Sequence, residues 1–193
     1  MKKLFAIAGS PRRGSNSELL LDEAVKAAKD AGLETCKLVV SDLGISPCTS
    51  CGGCWETGDC VIEDKMQEVY KKLLDADYVV IASPLYFLGI SAQLKALIDR
   101  CQALWARRFI LKRPLRNGHK QPKGLFISTA AIREADDKIF SGSRQTVRAV
   151  FNALEIEYVG ELFFKGLEER GAVTSHPEFL KQTYKVAREL IKK

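Results

Sequence analysis

The chain has no long apolar run. Nowhere does a hydrophobic stretch approach the ~18 residues of a membrane-spanning helix, which argues against a helical span. The opening MKKLFAIAGSPRRG offers two lysines and then an apolar run. That run is only about six residues, short of the ~7–15 of a signal-peptide core, and a Gly-Ser-Pro-Arg loop ends it. It reads as a first strand. Internal repeats, low-complexity tracts and linker-like stretches are missing too, so residues 1–193 are expected to form one domain with a full core. Neither a Walker A loop nor G-x-G-x-x-G occurs, and no Ser-His-Asp set or carboxylate pair stands out. Histidine is scarce: His119 reads as solvated and His176, before Pro177, as a helix-start residue. The expected location is the cytoplasm, where thiols stay reduced.

What is present is an alternation of strands and helices. LFAIAG (4–9) is a continuous apolar run, like a strand covered on both faces. SELLLDEAVKAAKDAG (17–32) places Leu20, Leu21, Ala24, Val25 and Ala28 at helical spacing, and Gly32 closes it. Strands follow at 35–40, 78–83, 124–129 and 157–164, with helices near 64–75, 91–106, 141–154 and 177–192. Strands that alternate with helices form a parallel sheet between helical layers. Five strands over this length fit an α/β, flavodoxin-like doubly wound sheet of order 2-1-3-4-5, a three-layer sandwich.

In such sheets ligands bind beyond the carboxyl ends of the strands, where strand order reverses. The loop after the first strand, GSPRRGSNS (9–17), offers Ser10, Ser15 and Ser17 hydroxyls, the Asn16 amide, Arg12 and Arg13, and a helix start. These groups suit a phosphate monoester, or else a plain N-capping loop with Ser15 or Asn16 as the cap. The loop after the third strand, SPLYFLGIS (83–91), sets Leu85, Tyr86, Phe87 and Leu88 between Pro84 and Gly89. Exposed apolar loops cover something, here a flat ring, unless Tyr86 or Phe87 folds back onto the core. STAAIREAD (128–136), beginning at Ser128, forms the other wall. A phosphate beside a ring between loops describes FMN.

GSPRRGSNS and SPLYFLGISAQLKALIDR, at this spacing, resemble the NADPH-dependent FMN reductase family. The loop PCTSCGGCWETGDC (47–60), with Cys48, Cys51, Cys54 and Cys60, narrows the likeness to the iron–sulfur flavoprotein subgroup, and 144–162 and 165–180 are similar to it as well. The resemblance implies a flavin-dependent oxidoreductase in which Ser10, Arg12, Ser15, Asn16 and Ser17 hold the FMN phosphate. It implies that Pro84, Leu85, Tyr86, Phe87 and Gly89 line the isoalloxazine. STAAIRE departs from the Gly-rich loop that many flavin reductases carry after the fourth strand.

Residues 47–60, PCTSCGGCWETGDC, place Cys48, Cys51, Cys54 and Cys60 in the spacing C-x2-C-x2-C-x5-C. The first three match the start of a bacterial ferredoxin run, and Gly58 allows Cys60 to return locally. A 4Fe-4S cluster is the leading reading; zinc, disulfides and unliganded thiols are the alternatives. Gly52 and Gly53 leave backbone N–H groups for the sulfurs, and Trp55 reads as a shield against water or as plain packing. Cys36 and Cys101 read as buried small hydrophobes.

Net charge is +6, and residues 107–123 carry Arg107, Arg108, Lys112, Arg113, Arg116, Lys120 and Lys123 with no acid. The segment is a solvated connection or an anion site for a nucleotide phosphate or an acidic partner. No RNA-binding or helix-turn-helix pattern accompanies it, so nucleic acid is not expected. The expected partners are a redox protein such as ferredoxin, or NAD(P)H. The wide stripe of helix 91–106, extended by Trp105, suggests a homodimer or homotetramer face.

Overall fold

The computed structural model describes residues 1–116, 118 and 121–192. Five parallel strands, β1 (Lys3–Ala8), β2 (Glu34–Val39), β3 (Tyr78–Pro84), β4 (Lys123–Thr129) and β5 (Glu157–Phe164), lie in the order β2-β1-β3-β4-β5. Among the described residues the α-helices are α1 (Asn16–Lys29), α2 (Cys54–Thr57), α3 (Met66–Asp75), α4 (Ala92–Arg100), α5 (Gln102–Phe109) and α6 (Ser141–Ala153) between the strands, and α7 (Pro177–Lys192) after the last. The fold expected from the apolar runs is the fold observed.

Because successive side chains of a strand point to opposite faces, each central strand feeds two cores. Phe5, Ile7, Val79, Ile81 and Phe126 pack with α3, α4, α5 and α6 on one face. Leu4, Ala6, Ala8, Val80, Ala82 and Ile127 pack with α1 and α7 on the other. This double burial explains why the central strands read as unbroken apolar runs rather than alternating ones. Gly124 sits where β4 shifts register against β5, and a Cβ there would lie 2.2 Å from the Phe151 ring. Only the missing side chain lets α6 approach that closely.

Two expectations need correction. The helix foreseen over 91–106 divides at Cys101 and runs on to Phe109. The Tyr70 hydroxyl donates to the Arg100 carbonyl at 2.6 Å, while Cys101 N–H turns back to Ile98 O at 2.9 Å. That carbonyl is thus drawn toward α3, and the helix tightens and restarts. The stripe read as a subunit face is largely spent internally, since Leu94, Leu97, Cys101 and Leu104 are buried in this chain's own core. Only Ile98 and Trp105 remain partly exposed, lining a groove of about 840 Å³ between α4–α5 and α6. No helix among the described residues is long and apolar enough to cross a membrane.

Candidate functional site

At the carboxyl ends of β1, β3 and β4 three loops are tied together by buried hydroxyls. Gly9, where β1 ends, donates to Ala82 O at 2.7 Å. A Cβ on it would lie 2.8 Å from Leu94 and 3.0 Å from Ala82 O, so the turn into the first loop leaves little room for a side chain. Ser91 caps α4 and donates to Gly9 O, joining the first loop to the third. Ser128 donates to Ser83 O at 2.9 Å and Leu85 N–H to Thr129 O at 2.7 Å, joining the third to the fourth.

In the first loop the polar side chains divide by what they already hold. Ser10 Oγ accepts from Arg12 N–H at 3.1 Å, and Ser15 is the N-cap of α1, accepting from Glu18 N–H. The Asn16 side chain is fully engaged. It donates to Leu167 O (3.2 Å) and Glu169 O (2.9 Å) and accepts from Val173 N–H (3.0 Å), clamping the β5–α7 connection. Asn16 therefore has only its backbone N–H to offer a ligand, and Ser128 Oγ is likewise committed. Arg13 pairs with Asp42 and Glu18. Burial would raise the Glu18 carboxyl. The Lys37 ammonium, the Gly14 N–H and Arg13 outweigh burial and hold it below the usual carboxylate range.

Two cations by this loop lack an ion-pair partner among the described residues, Arg12 and Arg170. Arg170 was not foreseen, yet its guanidinium lies over Gly14, where a Cβ would come within 3.1 Å of Nη2. At a helix start the N–H groups of Asn16 and Ser17 have no i−4 carbonyl to bond. A free guanidinium beside such a terminus, with Arg12 exposed in the same loop, is a setting that attracts anions.

In the third loop Tyr86 and Gly89 exchange two backbone hydrogen bonds of 2.9 Å, with Phe87 (φ 48°) and Leu88 (φ 62°) between them. Positive φ at both central positions is the signature of a type I′ turn, which favours Asn and Gly. Large side chains there cost on the order of 1 kcal/mol or more each. Phe87 is nonetheless fully exposed, and Tyr86 and Leu88 are exposed beside it. Neither aromatic ring folds back onto the core. A strained apolar turn held out in solvent is the arrangement expected of a cover for a bound ring.

The cysteine loop lies against the far end of α4. All six cysteines are free thiols, and Cys48, Cys51, Cys54 and Cys60 line a single cavity of about 70 Å³. Burial, and then the neighbouring Cys60, Cys48 and Cys51, hold the Cys54 thiol above its ordinary range. Among the described residues no three thiol, imidazole or carboxylate groups converge on a point where one metal ion would sit. Trp55 lines the cavity with half its surface in water, so it walls the site without sealing it. Cys101 is buried, which pushes its thiol up to about 12, whereas Cys36 is half-buried and accepts from Lys72 Nζ at 3.1 Å.

Arg100 also lines this cavity, and its side chain is completely buried. Nη1 donates to Ser46 O (2.9 Å) and Asp64 Oδ2 (2.7 Å), and Nη2 to Ile62 O (3.0 Å) and Asp64 Oδ1 (3.2 Å). Burial would lower its pKa. The Asp64 carboxylate and then the Cys60 sulfur outweigh that and raise it, so it stays charged. Its Nε–H has no partner among the described residues. An unsatisfied buried donor costs about 1–3 kcal/mol, more when charged.

The basic segment clamps the same loop. Arg107 pairs with Asp59, Arg113 donates to Thr57 O at 3.2 Å, and Arg107 and Leu111 pack over Gly58. Arg108 pairs with Glu155, and Arg116 donates to the Leu73, Leu74 and Leu154 carbonyls. Those four arginines thus brace neighbouring elements, while Lys112 stays exposed and Arg108 and Arg116 also line an open cleft of about 590 Å³ with Arg148. His119 and Lys120 lie outside the described residues.

Residues 2–159 match the model of the NADPH-dependent FMN reductase family. The chain belongs to that family. It is 42% identical over 110 residues to an iron–sulfur flavoprotein of Methanosarcina thermophila, a match covering 57% of this chain and 58% of that protein. It is 43% identical over 102 residues to an iron–sulfur flavoprotein of Methanocaldococcus jannaschii, covering 53% of each. The chain thus spans little more than half the length of these curated relatives. Its fold is shared with an NAD(P)H:quinone oxidoreductase of Methanothermobacter marburgensis (TM-score 0.72, 16% identity, 98% of this chain and 96% of that one). The family expected from the two loop motifs is the family found.

Proposed function

We propose that this protein is an iron–sulfur flavoprotein, a flavin-dependent oxidoreductase with a 4Fe-4S cluster in the cysteine loop and FMN at the carboxyl edge of the sheet. The observation that carries the reading is that four free thiols from one short loop surround a single cavity. A cubane presents one ligand position at each of four iron corners, so its thiolates stand wider apart than the ligands of one zinc ion. Four free thiols around one cavity supply that donor set. The orphaned Arg100 N–H, positive and buried in the wall, suits an anionic occupant.

At the sheet edge, Arg12, Arg170 and the backbone N–H groups of Asn16 and Ser17 would hold the FMN phosphate. Ser10 and Ser15 shape the loop by their own hydrogen bonds, and Ser17 Oγ stands 3.4 Å from Ser15 Oγ. Pro84, Leu85, Tyr86, Phe87 and Gly89 would line the ring, with Phe87 excluding water from it. Ser128 braces that wall from behind. Bound flavin supplies the exchange of single electrons for pairs, and bound cluster supplies single electrons. Helix α4 links the two places: Ser91 ties its start to Gly9, and Arg100 ends it at the thiols, about 13 Å along the helix.

Under this proposal electrons arrive singly from a ferredoxin-type donor or in pairs from NAD(P)H, and the assembly is a homodimer or homotetramer. Because the arginines at 107, 108, 113 and 116 are taken, a nucleotide phosphate is not assigned to that segment. The test is a spectrum of protein purified without oxygen, before and after reduction, with iron, sulfide and flavin assayed on one sample. The expected result is one flavin and about four irons per chain, with a broad shoulder that bleaches on reduction. Flavin without iron would overturn the cluster assignment, and iron without flavin the FMN assignment.

A further inference from the structure

Arg100 is placed as no packing residue needs to be. A guanidinium has five N–H donors, two on each Nη and one on Nε. Its four Nη hydrogens are spent on Ser46 O, Ile62 O and the two oxygens of Asp64. Ser46 stands two residues before Cys48 and Ile62 two after Cys60. The fork thus pins both ends of the cysteine loop to the end of α4, and fixes the direction of the remaining N–H. That donor is fully buried, finds no acceptor among the described residues, and belongs to a residue that lines the thiol cavity with Cys60.

We propose that Arg100 is a positioning residue for the cluster, its Nε–H donating to the Cys60 sulfur when that sulfur is an iron-bound thiolate. The inference rests on the iron–sulfur reading above. A donor and a positive charge at one corner stabilise the reduced, more negative cluster, so Arg100 raises the reduction potential. Lysine would keep the charge but has neither the fork nor a directed N–H.

The test uses the whole chain, purified without oxygen, with nitrogen-15 in its arginines only and the cluster reduced to its paramagnetic state. Pulsed electron paramagnetic resonance is expected to show a hyperfine coupling to arginine nitrogen that disappears in Arg100→Lys. The potential of Arg100→Lys is expected to fall enough to weaken reduction about tenfold, which is about 59 mV for one electron. A cluster with no arginine coupling in the unmutated protein would overturn the inference, even if Arg100→Lys fails to fold. An unchanged potential in a folded, iron-loaded Arg100→Lys would overturn it too. A preparation without iron would bring down the iron–sulfur reading, and this inference with it.

Discussion

The β1–α1 loop and the cysteine loop both carry many ligand-type side chains, but they have spent them differently. In the first, Asn16, Arg13 and Ser15 are committed to the fold, and what stays free is backbone N–H and two arginines, one of them distant in sequence. In the second the ligand atoms stay free, and the neighbours are committed: Arg107, Arg113, Asp64 and Arg100 hold the loop in place. A polar or basic residue in a loop is evidence for a ligand only after its protein partners have been subtracted. That subtraction lowers Asn16 and Ser128 as ligands, raises Arg170, and makes braces of four arginines in the basic segment.

The largest effect should come from cutting the brace of the cysteine loop. Asp64→Ala leaves the Arg100 charge buried without its carboxylate, and should cost about 3–5 kcal/mol in a denaturant titration. Loss below 1 kcal/mol would mean the loop holds without this pair. The pair also has a pH signature. Burial would raise the Asp64 carboxyl, but Arg100 and the Met66 and Ser46 N–H groups hold it below the ordinary carboxylate value. Its contribution is therefore present above about pH 4 and lost as pH falls through the lowered value. Asp64→Asn should flatten the acid limb of the stability profile, and an unchanged limb would point elsewhere.

Next comes the clamp of the other loop. Asn16→Ala should destabilise by about 1–3 kcal/mol, because two carbonyls and one N–H lose their partner. If Asn16 were instead a pure phosphate ligand, stability without flavin would not change. A comparable magnitude, but in binding, is expected of Arg12 and Arg170. Replacing both with Ala should weaken FMN roughly 10- to 100-fold, as the loss of charge-assisted contacts implies, while riboflavin is little affected. Equal weakening of both flavins would contradict the phosphate cradle. The smallest effect belongs to Phe87→Asn, which should leave the flavin-free protein within about 0.5 kcal/mol or make it slightly more stable. A clear loss of stability would show that Phe87 packs against the fold.

Much of the fold could be read from residue order alone, because each central strand is an unbroken apolar run between a helix and a turn. YVVIAS and LFAIAG have no polar face to mislead the eye. The split of α4 from α5 could not be read, since it depends on a Tyr70 hydroxyl arriving from another helix. The site was visible as two loops and four thiols. The roles within it were not, because Asn16 finds its partners about 150 residues away. Arg100 did leave one trace. IDRC sets a permanent charge among the buried positions of an apolar helix, and such a charge needs partners.

The central claim is that the thiol cavity and the flavin edge are separate sites joined by α4. It is tested most directly by assaying iron and FMN together in Cys51→Ala purified without oxygen. Iron should be lost while FMN stays at the level of the unmutated protein. Simultaneous loss of both would contradict the claim and make the cysteine loop part of the frame that holds the flavin.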